Sequence, residues 1–293
     1  MEQTPGQFGR SWTQSRSQAI VTSGGRFEYS LAMAHSEHTT AADGTEIAWS
    51  AVGQGDDVLL VHGITESAGT WDPIVERLAT SHRVISLDLR GHGESGKADR
   101  YDLEAMAGDV AAVMAAAGSA APHLVGHSLG GAVVSAAGAV LPVASVINVD
   151  QSLQLGSFKA ALEPAEAMLR DAATFPAVIS QLFTDMRGGL GDAEFDRVSA
   201  LRRGDQTVVL GVWEMMFTMS EEEIAAVVDG ALAGYSDVRY LSLFGIDPGP
   251  DYGDWLKGHI VNSEVELWDG AGHYPHLHEP DRFVDRVRSF WAA

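Results

Sequence analysis

Ser128 stands in the pentapeptide Gly126-His127-Ser128-Leu129-Gly130, with Gly131 directly behind it. The run before it, His123-Leu124-Val125, reads as a strand, and the run after it, from about Leu129 to Val140, reads as a helix. A serine between those two elements must sit on a tight, strained turn, with its hydroxyl standing clear of the sheet. Side chains at the flanking positions would strike the helix and the strand, so glycine is needed there. The following helix also aims its N-terminal dipole at the place where negative charge develops during attack on a carbonyl. The bare pentapeptide is common by chance, but the strand before it and the helix after it point to a serine nucleophile. Such a serine needs a base to take its proton, and histidine has a suitable pKa near neutrality. Adjacency in sequence does not let His127 serve, and it reads as structural.

The elements around this turn alternate. Thr45 to Val52 has the period of a half-exposed strand, whereas Val58-Leu59-Leu60-Val61 is a continuous apolar run, as expected of a strand buried on both faces. Trp71 to Leu78 reads as a helix start with Asp72 at the N-cap and Pro73 at the first helical position. Val84 to Leu87 is another strand, and Asp102 to Ala117 an Ala-rich helix closed by Gly118. Val143 to Val149 is one more buried strand. This alternation predicts an α/β fold, a mostly parallel sheet flanked by helices. The rhythm then breaks: residues 151–236 show helical stretches and no buried strand, which predicts a helical cap or lid inserted into the core. Strands resume at Val238 to Ile246 and Val265 to Trp268, and a last helix runs from about Pro280 to Trp291. The expected division is therefore a core of residues 39–150 and 237–293 with the cap between its two parts. Residues 1–38, rich in Ser, Gln, Thr and Gly, read as a disordered extension, with the natural start at Met33.

At this point the chain resembles the α/β-hydrolase superfamily over nearly its whole length after residue 40. The resemblance is carried by His62-Gly63, Asp88-Leu89-Arg90-Gly91-His92-Gly93-Glu94-Ser95, Gly126 to Gly131, and Gly272-His273-Tyr274-Pro275-His276, in that order. It implies that His273, on the loop after the last strand, is the base. It also implies a carboxylate at the C-terminal end of a strand between serine and histidine, to hold the imidazole tautomer. Three aspartates compete for that place. Asp247 follows Tyr240 to Ile246 and is preferred, although only Ile246 separates it from Gly245 where relatives often have two residues. Asp150 ends the preceding core strand, from which some relatives draw the acid. Asp251 reads better as a helix cap before Tyr252. The oxyanion donors implied are the backbone N–H groups of Leu129 and Ile64. His276 and His278 near the base form H-x-x-H-x-H, but no further ligands are evident, and neither metal nor cofactor is expected.

Gly91-His92-Gly93-Glu94-Ser95-Gly96 formally matches a dinucleotide fingerprint. Lys97 to Arg100 intervene before any helical pattern, and no acidic residue ends a following strand about 20 residues on. The string therefore reads as a structural loop.

A serine–histidine–aspartate set supports acyl transfer to water through an acyl-enzyme, and the first expectation is a carboxylic-ester hydrolase acting on a small-molecule ester. The same set serves C–C bond, lactone or thioester hydrolysis and cofactor-free peroxidase activity. A small-molecule receptor with little turnover is the reading from another class. Met215, Met216, Phe217 and Met219 could line a pocket, though the core of the cap is the better reading for them. With 40 acidic against 19 basic residues and a net charge of −21, nucleic-acid binding is disfavoured, as is adhesion to anionic membranes. The absence of cysteine excludes disulfides, thiolate metal sites and cysteine nucleophiles. No apolar run approaches a membrane span and no signal peptide is recognised, so a cytoplasmic location is expected. Composition leaves the oligomeric state open.

Overall fold

The structure is a computed structural model that describes residues 36–293. The expected disordered extension and the Met33 start lie outside the described residues except for residues 36–38. Eight strands form one sheet: β1 (Glu37–Thr40), β2 (Glu46–Gly53), β3 (Asp57–Val61), β4 (Arg83–Leu87), β5 (His123–His127), β6 (Ser145–Val149), β7 (Arg239–Phe244) and β8 (Ser263–Leu267). Their order is β1-β2-β4-β3-β5-β6-β7-β8. The β1–β2 and β2–β4 pairs are antiparallel and all later pairs parallel. β1 is a strand that the sequence pattern does not reveal. Its four residues Glu-His-Thr-Thr carry no apolar period, and the antiparallel ladder to β2 orders them.

Three helices precede the break in the alternation, α1 (Asp72–Leu78), α2 (Leu103–Ala117) and α3 (Leu129–Val140), and α4 (Gly156–Leu162) is the first helix of the segment inserted between β6 and β7. The insertion continues with α5 (Glu166–Arg170), α6 (Phe175–Asp185), α7 (Asp192–Leu201), α8 (Gln206–Val212), α9 (Glu214–Thr218) and α10 (Glu221–Leu232), with no strand between β6 and β7. The core closes with α11 (Tyr252–His259), α12 (Pro275–His278) and α13 (Pro280–Ala292).

Strand β3 shows why both faces are covered. Val58 and Leu60 join one core with Ile74 of α1 and Phe283 of α13, while Leu59 and Val61 join the other with Val113 of α2 and Val133 of α3. In α2, Asp102 caps the N-terminus by accepting from Ala105 N, and Gly118 ends the helix at φ 64°. Asp72 is not the cap of α1: a 3-10 turn over Ala68–Trp71 runs straight into the helix and makes Asp72 its first residue. In the insertion, Phe175, Ile179 and Phe183 bury one face of α6, as Ile224, Val228 and Leu232 do on α10, both at four-residue spacing. A capping box between Ser220 and Glu223 starts α10. Among the described residues no helix is long and apolar enough to cross a membrane.

The insertion is tied to the core by backbone hydrogen bonds beside the strand ends. Arg203 N donates to Thr65 O at 2.7 Å, His273 N to Met186 O at 2.8 Å, and Gly189 N to Gly270 O at 2.9 Å. The loops after β3 and β8 are thus held from above as well as from within the sheet.

Candidate active site

Ser128 sits between β5 and α3 with φ 53° and ψ −124°. Only two other non-glycine residues among those described have positive φ, Thr65 at 66° and Asp150 at 53°. They follow β3 and β6, the two strands that flank β5, so backbone strain gathers at one end of the sheet. Each such conformation costs about 1–3 kcal/mol and persists because its surroundings fix it. Here Ser128 N donates to Val149 O at 2.9 Å and Asp150 N to Leu243 O at 2.8 Å. The turn needs its glycines: a Cβ on Gly126 would lie 2.0 Å from Gly130 O, and one on Gly130 would lie 2.2 Å from Val61 O.

The carboxylate at the imidazole is Asp150. Its Oδ2 lies 2.6 Å from His273 Nδ1, and both residues are buried. Its other oxygen, Oδ1, accepts from Gly245 N at 2.7 Å and Ile246 N at 3.0 Å, so the carboxylate cannot rotate without losing both bonds. The preference for Asp247 is thereby overturned. Asp247 is exposed and its Oδ1 accepts from Gly249 N at 2.8 Å, within its own turn. Asp251 occupies the N-cap position of α11 but makes no capping bond with its side chain.

His273 Nδ1–H donated to Asp150 leaves Nε2 as the unprotonated nitrogen of the neutral ring. Ser128 and His273 line the same cavity. No hydrogen bond joins Ser128 Oγ to the ring among the described residues, and such contacts often tighten only around bound substrate. His127 is structural: its ring packs 4.7 Å from the His273 ring, centroid to centroid, and its Nε2 donates to His273 O at 2.7 Å.

Ile64 and Leu129 both line the cavity beside Ser128. The loop that carries Ile64 approaches the serine so closely that a Cβ on Gly63 would lie 3.2 Å from Ser128 Cβ. His62 shapes this loop. Its Nδ1 donates to Gly63 O at 2.7 Å and its Nε2 accepts from Leu89 N at 3.0 Å. Burial pushes its pKa down, which favours the neutral tautomer those two bonds require.

Two residues around the site, Glu66 and Arg202, carry no local signal in the sequence, and Tyr274 figures there only as the neighbour of His273. Glu66 is 1% exposed, although it sits in a loop that looks polar and open in sequence. Burial alone would raise its carboxyl, but His127, Tyr274 and Arg202 outweigh that effect and hold it well below the usual carboxylate range. What buries it comes from far along the chain, since Tyr274 is 208 residues away.

The cavity measures about 580 Å³. Leu129, Phe158, Phe183, Met186, Trp213 and Met216 give it an apolar wall, with Gln151 and Gln154 among its polar groups. Its charged lining is acidic, Asp102, Asp150 and Asp247, with no Lys or Arg. Of the four insertion residues considered for a pocket, Met215 and Met216 line this one. Phe217 lies under the Arg170 guanidinium at 5.1 Å, and Met219 is 36% exposed.

The glycine string 91–96 closes on itself. Gly91 N donates to Gly96 O, and Asp88 accepts from Ala68 N at 2.7 Å and Glu94 N at 2.8 Å. No helix follows until Leu103. His276 is fully buried against Trp71 and Phe283, whereas His278 is exposed, so the histidines of H-x-x-H-x-H do not converge. Among the described residues no group of three or more His, Asp or Glu is arranged to hold a metal ion.

The alpha/beta hydrolase family model matches residues 58–286. An uncharacterised protein of Mycobacterium bovis is 29% identical over 279 residues, 83% of this chain and 77% of that protein. A pimeloyl-[acyl-carrier protein] methyl ester esterase of Aliivibrio salmonicida is 35% identical over 117 residues, 39% of this chain and 43% of that protein. Among solved structures, an esterase from a Rhodococcus species is 27% identical with a TM-score of 0.65, covering 88% of this chain and 98% of the other.

Proposed function

The chain belongs to the alpha/beta hydrolase family, and from that premise we propose that it hydrolyses uncharged, largely apolar carboxylic esters through an acyl-enzyme on Ser128. The observation that carries this reading is the Asp150–His273 contact of 2.6 Å beside a serine held on a strained turn, all three at one cavity.

In the proposed sequence of steps, His273 Nε2 takes the Ser128 proton as Oγ attacks the ester carbonyl. Asp150 holds the Nδ1–H tautomer and stabilises the imidazolium that forms. The backbone N–H groups of Ile64 and Leu129 stabilise the oxyanion, each worth about 3–4 kcal/mol in the transition state by analogy with measured oxyanion holes. His273 returns the proton to the leaving alcohol, then activates water to release the acid.

The substrate class follows from the wall. An apolar cavity of about 580 Å³ holds a small or medium ester, and a lining that offers Asp102, Asp150 and Asp247 but no Lys or Arg gives an anionic one no cation to pair with. The name of the Aliivibrio relative gives it an ester on an acyl carrier protein. The lack of a basic lining and the net charge of −21 argue that this chain takes free small molecules instead.

Steady turnover of neutral p-nitrophenyl esters of two to eight carbons, abolished in Ser128→Ala with the far-UV spectrum intact, is the expected result. A wild-type protein that turns over none of these esters would overturn the reading.

A further inference from the structure

We propose that Glu66, Tyr274 and Arg202 form a positioning relay that fixes the oxyanion loop from the helical insertion. The proposal rests on the hydrolase reading above. Glu66 Oε2 accepts from Gly63 N at 3.2 Å, the amide next to the proposed donor Ile64 N. Glu66 Oε1 accepts from the Tyr274 hydroxyl at 2.7 Å, and that hydroxyl accepts from Arg202 Nη2 at 2.6 Å. Glu66 Oε2 also lies 3.5 Å from His127 Nδ1, in the nucleophile turn. One buried carboxylate therefore bonds the oxyanion loop and, through Tyr274, the loop of His273, with the His127 ring beside it but not hydrogen-bonded to it.

The far end of the relay belongs to the insertion. Arg202 directly follows α7, its guanidinium lies 4.0 Å from the Phe183 ring centroid, and Phe183 is part of the cavity wall. The neighbouring Arg203 donates its backbone N–H to Thr65 O at 2.7 Å, one residue beyond Ile64. Glu66, Tyr274 and Arg202 do not themselves line the cavity, so they act through the groups they hold. A carboxylate is required at position 66 because it accepts from two donors at once. A glutamine amide presents one acceptor: with its oxygen on Gly63 N, its NH₂ faces the Tyr274 hydroxyl, whose second lone pair accepts but whose own proton loses its acceptor; turned the other way, the NH₂ faces the Gly63 N–H, a donor against a donor. Either orientation leaves a buried donor without its acceptor and loosens the loop, and oxyanion donors act only when held in place.

The test compares Glu66→Gln, Tyr274→Phe, Arg202→Met and the Tyr274→Phe/Arg202→Met double variant on one neutral p-nitrophenyl ester. Active sites are counted by fluorophosphonate titration. Tyr274→Phe keeps the ring in the core and stands in should Glu66→Gln not fold. The expected result is a kcat lower by about tenfold or more with KM within about twofold, since the lost stabilisation belongs to the transition state. The double variant should be no worse than the poorer single one, because both cut the same chain. Affinity for an aryl trifluoromethyl ketone, which forms the oxyanion adduct, should fall in step with kcat, while affinity for the parent methyl ketone should not. Folded variants with wild-type kcat, effects confined to KM, or losses that add in the double variant would each overturn the relay. If the wild type itself shows neither ester turnover nor preference for the trifluoromethyl ketone, it is the hydrolase reading that fails.

Discussion

Replacing Asp150 by asparagine should inactivate the protein through proton placement rather than loss of shape. Asp150 Oδ1 is pinned by two backbone donors, Gly245 N at 2.7 Å and Ile246 N at 3.0 Å. An asparagine must keep its amide oxygen there, because turning NH₂ toward two N–H groups would leave three donors facing one another. The NH₂ is then forced against His273 Nδ1, where the wild-type carboxylate lies at 2.6 Å. That nitrogen must become the acceptor, so the ring proton moves to Nε2 and the base can no longer take the serine proton. The carboxylate charge that offsets the imidazolium is lost as well. The analogous exchange in a serine protease triad lowers kcat by about 10⁴, which at 1.36 kcal/mol per decade is about 5 kcal/mol of transition-state stabilisation. Asp247→Asn is the matched control: the residue is exposed and its bond to Gly249 N survives in the amide, so kcat should stay within about twofold. The assay is steady-state hydrolysis of p-nitrophenyl butyrate at pH 8, with circular dichroism to confirm folding. An Asp150→Asn variant that keeps more than about a tenth of wild-type kcat, or an Asp247→Asn variant that loses about a thousandfold, would refute the reasoning.

Other consequences can be measured separately. Esters carrying a terminal carboxylate should show kcat/KM at least about tenfold below neutral esters of equal length, with the gap narrowing as salt is added; equal rates would contradict the acidic lining. Burial pushes the His92 pKa down to about 4 and also lowers those of His62 and His276. The unfolded chain therefore binds protons first on acidification, so this contribution to stability is complete above about pH 6.5 and is lost as pH falls toward 4, with His92 alone costing about 2 kcal/mol at pH 5. Urea midpoints at pH 7.5 and 5 check this, and equal unfolding free energies would contradict it. Asp109 is fully buried and bonds Arg90 Nε and Nη2 at 2.7 Å each, while Asp43 stays paired with the same guanidinium, so Asp109→Asn should cost about 1–3 kcal/mol in chemical unfolding. Gly130→Ala should remove both activity and soluble expression, because its Cβ would lie 2.2 Å from Val61 O.

The parts of the fold visible in the sequence are those with a local cause. Buried parallel strands such as β3 and β6 are unbroken apolar runs, and the turn at Ser128 announces itself because each side of it has a distinct period. Strand β1 has no such period and depends on its partner. The choice between Asp150 and Asp247 was not legible because both follow a strand of the same sheet. What separates them is that Gly245 and Ile246 turn their amides toward Asp150, a contact across 95 and 96 positions. The short spacing from Gly245 to Asp247 was the available hint. Glu66 was hidden for a related reason: nothing near it in sequence buries it, and the tyrosine that does so arrives with the His273 loop.

The central claim is a covalent bond to one oxygen atom. Treating the protein with a fluorophosphonate and mapping the modified peptide by mass spectrometry tests it most directly. One adduct per chain on Ser128, formed far more slowly in His273→Ala, is predicted. Ester turnover accompanied by an adduct elsewhere, or by none, would contradict it.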